Sequence, residues 1–454
     1  MAKLKWLYPG LKVKRWLFLA FLGFIMILSG VTVVIGPLNL ASISRESFII
    51  LSELFGMHSR YNGLIIALIG LFFVWLGIKK AFRSIISILL PQDEGRLAEI
   101  LYNRRQMKKG PKVLAIGGGT GLPAVLRGLK PYTGNITAVV AVSDDGGSSG
   151  KLRGELDMLP PGDVRNCLLA LADTEPLLEQ IFEHRFTKGK ELAGHNVGNL
   201  IIAALNENLG FLESIKALSK ILAVKGKVLP VTDKPLTIEA LYESGRKEKG
   251  ESQIPNPGEK IKSIKIKDDN VKLLPEVMEA IREADAIIIG PGSLYTSIIP
   301  NLLVPGIVEE IEKSKAPKIW VANIMTQPGE TDNYSLSNHL EVFKEHTGSY
   351  LVNTVVANRH KKFNQKALKK YQEEGQVPVK IDKENLNELN KIKILSGDFA
   401  LDSSLIRHNH EALGRAIMKE IVSEKLKSDL NLSTLSLSGL IRANDKKASN
   451  FLRR

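Results

Sequence analysis

Cysteine is almost absent from the sequence, with Cys167 the single one among 454 residues. One cysteine cannot form an internal disulfide, which excludes the disulfide-stabilised secreted class and favours a reducing compartment. Histidine is also scarce, at 8 residues. His195 has no second histidine or cysteine in its motif, so the sequence predicts no zinc site and no other set of metal ligands.

Two familiar nucleotide fingerprints are incomplete in this chain. In the glycine-rich stretch 112–122, Gly117 and Gly119 fit G-x-G-x-x-G, but Leu122 takes the place of the third glycine. The Gly-Lys-Ser/Thr ending of an NTPase phosphate loop is missing as well, which disfavours ATP hydrolysis. A strand, a glycine turn and a helix remain, and such a turn either brings backbone N–H groups to a phosphate or is an ordinary tight turn. The ligand-binding candidates here are Gly118, Gly119, Thr120, Gly121 and Leu122.

Acidic residues are outnumbered, 48 against 62 Lys and Arg, for a net charge of +14. Such an excess can indicate nucleic acid, but here much of it flanks two long uncharged runs, 16–35 and 61–78. A run of about 20 residues crosses a hydrocarbon core of about 30 Å, and is too long for a signal peptide core of about 7 to 15 residues. Because Lys and Arg lie before the first run and after the second, we expect a plasma-membrane protein with both termini and the soluble domain in the cytoplasm.

The segments beside these runs are apolar or basic. Residues 82–90 either lie in the membrane interface or extend the second span. Residues 93–107 are predicted to form a basic helix, which either lies on an anionic lipid surface or is simply solvated. The end of the chain is rich in Leu, Ser and Lys, and we expect a mobile tail that either touches the membrane or is only disordered. The predicted divisions are 1–90 (membrane region), 91–110 (linker), 111–422 (soluble domain) and 423–454 (tail).

The soluble region repeats one local pattern, a short apolar run followed by a glycine-rich or polar turn and then a helix. Runs without alternation suit strands that are buried on both faces. The pattern predicts a Rossmann-like, doubly wound parallel α/β sheet, in which ligands bind beyond the carboxyl ends of the strands. Residues 224–267 instead read as a small β excursion.

The turns of this region supply further candidates. Asp144, Asp145, Ser148 and Ser149 either contact a nucleotide or form an Asx turn. Arg165 either meets a phosphate or pairs with Asp163, and His195 is expected to make an orienting hydrogen bond. The other candidates of these turns are Asn166, Asn199, Gly290, Gly292, Ser293, Asn323, Gln327, Glu330 and Tyr334.

These phrases together resemble the CofD-like proteins, and most closely their YvcK branch, the gluconeogenesis factors. The resemblance covers roughly residues 112–420. It rests on I-G-G-G-T-G-L (116–122), D-D-G-G-S-S-G (144–150), P-P-G-D-V-R-N (160–166), G-H-x-x-G-N (194–199), I-G-P-G-S-L-Y-T-S (289–297), N-I-M-T-Q-P-G-E-T-D (323–332) and L-I-R-H-N (405–409).

The resemblance implies a nucleotide ligand. The YvcK branch is expected to bind a UDP-sugar and to regulate cell-wall synthesis, cell shape and gluconeogenic growth, and it gives Arg407 a ligand-binding role. The alternative for Arg407 is an ion pair with Glu411 on the same helical face. CofD transferases instead move a phospholactyl group from a guanosine diphosphate donor with magnesium, but S-D-D-G-G-S-S-G differs from their D-x-G-D-D turn.

Three hypotheses follow: a membrane-tethered UDP-sugar-binding regulator, a magnesium-dependent phospholactyl or nucleotidyl transferase, and a nicotinamide oxidoreductase. Leu122 disfavours the last, as does the lack of an evident acid–base pair for hydride chemistry. We also expect a homo-oligomer that acts on cell-envelope regulatory proteins, and no nucleic-acid partner. The two spans would set this chain apart from the wholly cytosolic proteins expected of the branch.

Overall fold

The computed structural model divides the chain into two compact units, Met1–Arg104 and Arg105–Arg454. Most of the predicted outside loop, the basic linker helix and the tail beyond residue 428 lie outside the described residues, so those expectations stay predictions. The structure describes residues 13–35, 60–89, 107–255, 258–359, 363–382, 384–385, 392–401 and 403–428.

Two long apolar helices make up the described part of the first unit, α1 (Val13–Ile35) and α2 (Arg60–Leu89). Helix α2 continues without a break to Leu89, so the apolar stretch after residue 82 extends the second helix. Both helices are long and apolar enough to cross a membrane, and only 17% of the apolar window of each is buried.

Helices α1 and α2 meet along a line of glycines, called here the glycine seam. A Cβ added to Gly23 would lie 2.6 Å from the Gly70 carbonyl oxygen, and one on Gly30 would lie 2.5 Å from that of Gly63. One on Gly77 would lie 2.6 Å from the carbonyl oxygen of Trp16. Residue numbers rise along one helix as they fall along the other, so the pair is antiparallel, and its close backbone approach is the kind that small residues permit between membrane helices.

A seven-stranded sheet is the centre of the second unit. Its strand order is β10-β9-β8-β7-β1-β2-β3, and all neighbouring strands are parallel. The predicted Rossmann-like α/β fold is therefore confirmed. The strands are β1 (Val113–Gly117), β2 (Ile136–Val140), β3 (Lys227–Pro230), β7 (Ala286–Ile289), β8 (Lys318–Val321), β9 (Thr354–Asn358) and β10 (Lys393–Gly397).

The predicted β excursion is a separate three-stranded antiparallel sheet, with strand order β5-β4-β6. It follows β3 in the chain, and the segment after β5 returns to the acidic turn beyond β2, where Ser252 N donates to Asp145 Oδ1 at 2.9 Å. Its strands are β4 (Ile238–Tyr242), β5 (Lys247–Lys249) and β6 (Ile261–Ile266).

Helices pack on the parallel sheet, whose strands β1, β7 and β9 are buried throughout. Apolar side chains form two large clusters there, one including Leu114 and Ile116 and the other Val113 and Ala115. Alternate residues of β1 thus enter different clusters, as expected of a strand covered on both faces. The helices are α3 (Leu122–Leu129), α4 (Gly147–Leu156), α5 (Pro161–Leu171), α6 (Pro176–Glu183), α7 (Val197–Leu209), α8 (Phe211–Ile221), α9 (Pro275–Glu283), α10 (Ile299–Leu302), α11 (Ile307–Lys313), α12 (Leu336–Thr347), α13 (Gln365–Glu373) and α14 (His410–Ser428).

The direction of winding reverses between β1 and β7. From β1 the chain moves outward through β2 and β3, and from β7 it moves outward the other way through β8, β9 and β10. The two first strands lie side by side, with Val113 opposite Ala286 and Ile116 opposite Ile289. Both end in glycine turns, so these turns meet at the topological switch point, where open α/β sheets bind ligands.

Candidate functional site

Two neighbouring cavities open at this edge of the sheet. The larger, of about 770 Å³, is lined by both glycine turns and is called the glycine-turn cavity. The smaller, of about 440 Å³, is lined by three carboxyl side chains and is called the acidic cavity. Ser293, Gln327 and Gln376 line both cavities, so the two adjoin. Volumes of about 300 to 1,000 Å³ are typical of small-molecule sites.

The first glycine turn is glycine-rich because other backbone segments approach it closely. A Cβ on Gly119 would lie 2.4 Å from Asp163 Cα, and one on Gly121 would lie 2.3 Å from the Pro291 carbonyl oxygen. A glycine in such a turn is often required by a positive φ, but Gly119 is not among the residues with positive φ. Packing against the start of α5 is the reason for glycine there.

Polar residues beyond β8 hold the second glycine turn. Asn323 accepts a hydrogen bond from Gly292 N at 3.0 Å and donates one to the Gly292 carbonyl at 2.8 Å. Gln327 donates to Ser293 Oγ at 2.7 Å. Four of the predicted residues therefore come together at the boundary of the two cavities.

Another set of predicted residues forms a buried network that lines neither cavity. Ser148 Oγ lies 3.2 Å from His195 Nδ1 and accepts from Asn199 Nδ2 at 3.2 Å, while Ser149 Oγ accepts from Gly162 N at 3.1 Å. His195 makes the expected orienting hydrogen bond, and its partner is Ser148. The network joins three sequence motifs, so its hydrogen bonds hold these turns together.

Arg165 connects this network to Asn166, which does line the glycine-turn cavity. Its Nη1 donates to Asn199 Oδ1 and its Nη2 to Asn166 Oδ1, both at 2.6 Å, and the residue is 9% exposed. Of the two roles left open by the sequence, the geometry supports a structural one, but with these two asparagines as partners instead of Asp163.

Burial holds several carboxyl groups near this edge at unusual pKa values. Burial raises the pKa of Glu330 to about 7, although Thr296 Oγ1 and Tyr295 N both donate to it. Burial raises the pKa of Asp163 to about 6, partly offset by a hydrogen bond from Gly119 N. Burial, and then the negative charge of Asp163, raise the pKa of Glu251 to about 9. Clefts with such groups are candidate functional sites.

The part of the chain that the structure describes contains no ready-made metal site of three or more His, Cys, Asp or Glu residues. No three His, Cys, Asp or Glu side chains there lie close enough together to hold an ion. A magnesium ion at this edge would therefore need phosphate oxygens and water beside one or two protein carboxylates, which is its usual coordination.

Arg407 lines the glycine-turn cavity with an exposed side chain. It precedes α14, which begins at His410, so Arg407 and Glu411 do not share a helical face. Among the described residues no ion pair joins these two, which removes the alternative role considered for Arg407.

Eleven of the predicted residues line one of the two cavities, and the others lie behind or beside them. Tyr334 lines a third cavity of about 490 Å³, where its hydroxyl is 3.1 Å from that of Tyr295. Those lining the two cavities are Gly119, Thr120, Gly121, Asp144, Asn166, Gly292, Ser293, Asn323, Gln327, Glu330 and Arg407. Those that do not are Gly118, Leu122, Asp145, Ser148, Ser149, Asp163, Arg165, His195, Asn199, Gly290 and Tyr334.

Some residues that line the two cavities were not predicted from the sequence. Arg127 follows the glycine turn on α3, and His408 directly follows Arg407, so both had a positional signal. Glu251, Tyr371 and Gln376 lie in segments without a motif and had none.

Known proteins are similar to this chain both in sequence and in fold. The family described as 2-phospho-L-lactate transferase CofD matches residues 113–400. The chain is 46% identical over 304 residues to the gluconeogenesis factor of Bacillus subtilis, covering 67% of this chain and 96% of that protein. A crystal structure of a UPF0052 family member from Bacillus halodurans superposes with a TM-score of 0.65 at 46% identity, covering 67% of this chain and 98% of that one.

A longer relative bears on the N-terminal unit. The chain is 40% identical over 440 residues to a Clostridium acetobutylicum protein named "Putative gluconeogenesis factor", covering 94% of this chain and 93% of that protein. A match of that extent includes most of the N-terminal unit, so the unit sets this chain apart from shorter relatives such as the Bacillus subtilis protein but not from this longer one. The chain belongs to the CofD-like family and, within it, to the gluconeogenesis factor or YvcK branch.

Proposed function

We propose that the protein is a membrane-tethered UDP-sugar-binding regulator of cell-wall synthesis, cell shape and gluconeogenic growth. The observation that carries the proposal is the meeting of two glycine turns at the topological switch point, with Arg127 and Arg407 lining the same cavity. Backbone N–H groups and guanidinium groups are the donors that bind phosphate. A diphosphate would lie at these turns.

The polar character of the neighbouring cavity supports a ligand with a sugar at its far end. Ser293, Gln327 and Gln376 lie between the two cavities, and carboxyl groups line the smaller one. Hydroxyls, amides and carboxyls are the groups that hydrogen-bond to sugar hydroxyls. The relatives named as gluconeogenesis factors support a role in carbon metabolism.

Membrane tethering is supported by the two helices of the first unit. Their antiparallel packing brings Arg15 and Trp16 to the same end of the pair as Trp75, Lys79 and Lys80. At this end the Lys79 ammonium group lies 4.6 Å from the centre of the Trp75 ring, and the Lys80 ammonium group lies 4.5 Å from the centre of the Trp16 ring. Tryptophan beside basic residues is typical of a cytoplasmic membrane interface. We place this end at the cytoplasmic leaflet of the plasma membrane, against anionic lipid.

The second candidate function is a CofD-like transferase, and the family description of the match favours it. It would use a guanosine diphosphate donor, with magnesium held by phosphate oxygens and Asp144, a carboxylate of the acidic cavity. The S-D-D-G-G-S-S-G turn and the names of the relatives favour the regulator.

Calorimetric titration separates the two functions. The full chain in detergent micelles would be titrated with UDP-glucose, a guanosine diphosphate compound and NAD, each with and without magnesium. We expect UDP-glucose to bind with or without magnesium and to remain intact by phosphorus NMR. Binding of the guanosine compound alone would favour the transferase, and absence of UDP-glucose binding would reject the proposal. Sedimentation in the same micelles would test the expected homo-oligomer.

A further inference from the structure

The two adjoining cavities differ in the balance of charge along their walls. The glycine-turn cavity is lined by two arginines, Arg127 and Arg407, and by one carboxyl residue, Glu183. Asp144, Glu251 and Glu330 line the acidic cavity, and no Lys or Arg is among the residues described as lining it. A ligand lying across both would meet donors suited to an anion at one end and carboxyl groups at the other.

Glu251 has hydrogen-bonding capacity that the fold leaves unused. Its Oε2 atom is buried and, in the described part of the chain, has no hydrogen-bond partner. Buried polar atoms without a partner are rare in folded proteins because desolvation without a hydrogen bond costs free energy. The raised pKa of Glu251 keeps this carboxyl protonated at neutral pH, so it can both donate and accept.

Glu330 is 5% exposed, and its carboxyl group accepts two hydrogen bonds from the protein. Its Oε1 accepts from Thr296 Oγ1 at 3.1 Å and its Oε2 from Tyr295 N at 3.2 Å. These contacts hold the carboxyl group in one orientation, and it also lines the acidic cavity. A second anion here would meet like charge in a poorly solvated place, which is unfavourable.

We propose that the acidic cavity is a specificity site that accepts an uncharged, hydroxyl-rich sugar and rejects a sugar that carries a carboxylate. The inference rests on the proposed function, because the nucleotide must occupy the glycine-turn cavity for the sugar to reach the acidic one. Hydroxyl groups of a neutral hexose donate to carboxylate oxygens and accept from the Glu251 carboxyl. A uronic acid places its own carboxylate against Asp144 and Glu330.

The test compares three probes that share one nucleotide: UDP, UDP-glucose and UDP-glucuronic acid. The two sugars differ only at C6. Titrations of the full chain in micelles at pH 8, above the pKa of Glu330 and below that of Glu251, should show UDP-glucose binding at least tenfold more tightly than UDP-glucuronic acid. The Glu330→Gln variant removes the negative charge and keeps the shape of the side chain. It should reduce the affinity ratio of UDP-glucose to UDP-glucuronic acid at least threefold. Glu309→Gln, an exposed change on α11, is the matched control and should leave the ratio unchanged.

The outcomes separate this inference from the proposed function. If UDP-glucose fails to bind, the proposed function fails. If UDP binds but the two sugars bind equally well to the wild-type chain, only the specificity site is overturned. An unchanged ratio in Glu330→Gln, in a variant that melts like the wild type, would also overturn it.

Discussion

At the scale of single residues, Gly119 shows how a close approach can require glycine without an unusual φ. A methyl group at this position would lie 2.4 Å from Asp163 Cα, whereas one on Gly117 would have its nearest contact at 3.4 Å. We expect Gly119→Ala to displace the turn and weaken UDP-glucose binding at least tenfold, about 1.4 kcal/mol. Gly117→Ala is the control and should bind normally in the same titration. Equal affinities would show that the turn does not contact the nucleotide.

Arg407 offers a second test at this scale. Its planar guanidinium can meet two phosphate oxygens at once, and lysine cannot reproduce that geometry. Arg407→Lys should weaken UDP-glucose binding by more than about 1 kcal/mol and leave the melting temperature nearly unchanged, because the side chain is exposed in the cavity. Lys419→Arg, a conservative change of an exposed cation on α14, should change neither quantity. Unchanged affinity in Arg407→Lys would remove this residue from the site.

The pKa of Glu251 leads to a prediction about stability and pH. In the unfolded chain this carboxyl ionises near its ordinary value of 4.5, but in the fold it keeps its proton to about pH 9. The folded state therefore binds more protons in this window, and the contribution of Glu251 to stability falls as the pH rises from about 4.5 to about 9. Glu251→Gln should thus raise the melting temperature relative to wild type more at pH 9 than at pH 5. Parallel curves for the two proteins would contradict the prediction.

At the scale of elements, the crossing of α3 and α14 connects the glycine turn with the Arg407 segment. A Cβ on Gly128 would lie 2.2 Å from the His410 carbonyl oxygen, and one on Gly414 would lie 2.1 Å from that of Gly128. Gly414→Ala must therefore move the helices apart, and we expect a loss of about 1 to 3 kcal/mol in stability together with weaker UDP-glucose binding.

The control for this crossing is Gly154→Ala on α4, where an added Cβ would have no neighbour within 4 Å. Removing a glycine from an open helical position should leave stability unchanged or raise it by up to about 1 kcal/mol. Thermal melts and titrations of both variants give the comparison. If Gly414→Ala melts and binds like Gly154→Ala, the tight crossing is not needed for the site.

The elements could be predicted from sequence where apolar runs end in glycine or polar motifs. The strands β1, β2, β7 and β8 each lie within such a run, and their order along the chain led to the parallel sheet. The division between ligand-facing and supporting residues could not be predicted in this way. Ser148 and His195 have side chains that suit a ligand or each other, and only the fold shows that they are partners. Glu251 reaches the cleft through a segment without a motif, so its position depends on tertiary packing.

At the scale of the whole molecule, the proposed topology can be tested with introduced cysteines. In a Cys167→Ala background, Ser52→Cys places a thiol in the predicted outside loop and Lys109→Cys places one at the start of the soluble unit. A membrane-impermeant maleimide added to intact cells should label the Ser52→Cys protein, and should label the Lys109→Cys protein only after the membrane is permeabilised. Labelling of Lys109→Cys in intact cells would contradict the topology.

The place of β1 inside the parallel sheet, next to the central strand β7, has a consequence for folding. Its partner β7 follows only much later in the chain, and Lys112 N reaches Asp285 Oδ2 at 2.8 Å across a separation of 173 residues. During synthesis β1 can pair with β2 early, while its other edge stays open until β7 emerges. Pairings of such long separation are slow to form, and open strand edges invite contact with other chains. The cleft between the two glycine turns is therefore completed late in synthesis, and a ligand that bridges these turns would bind only chains that have passed that point.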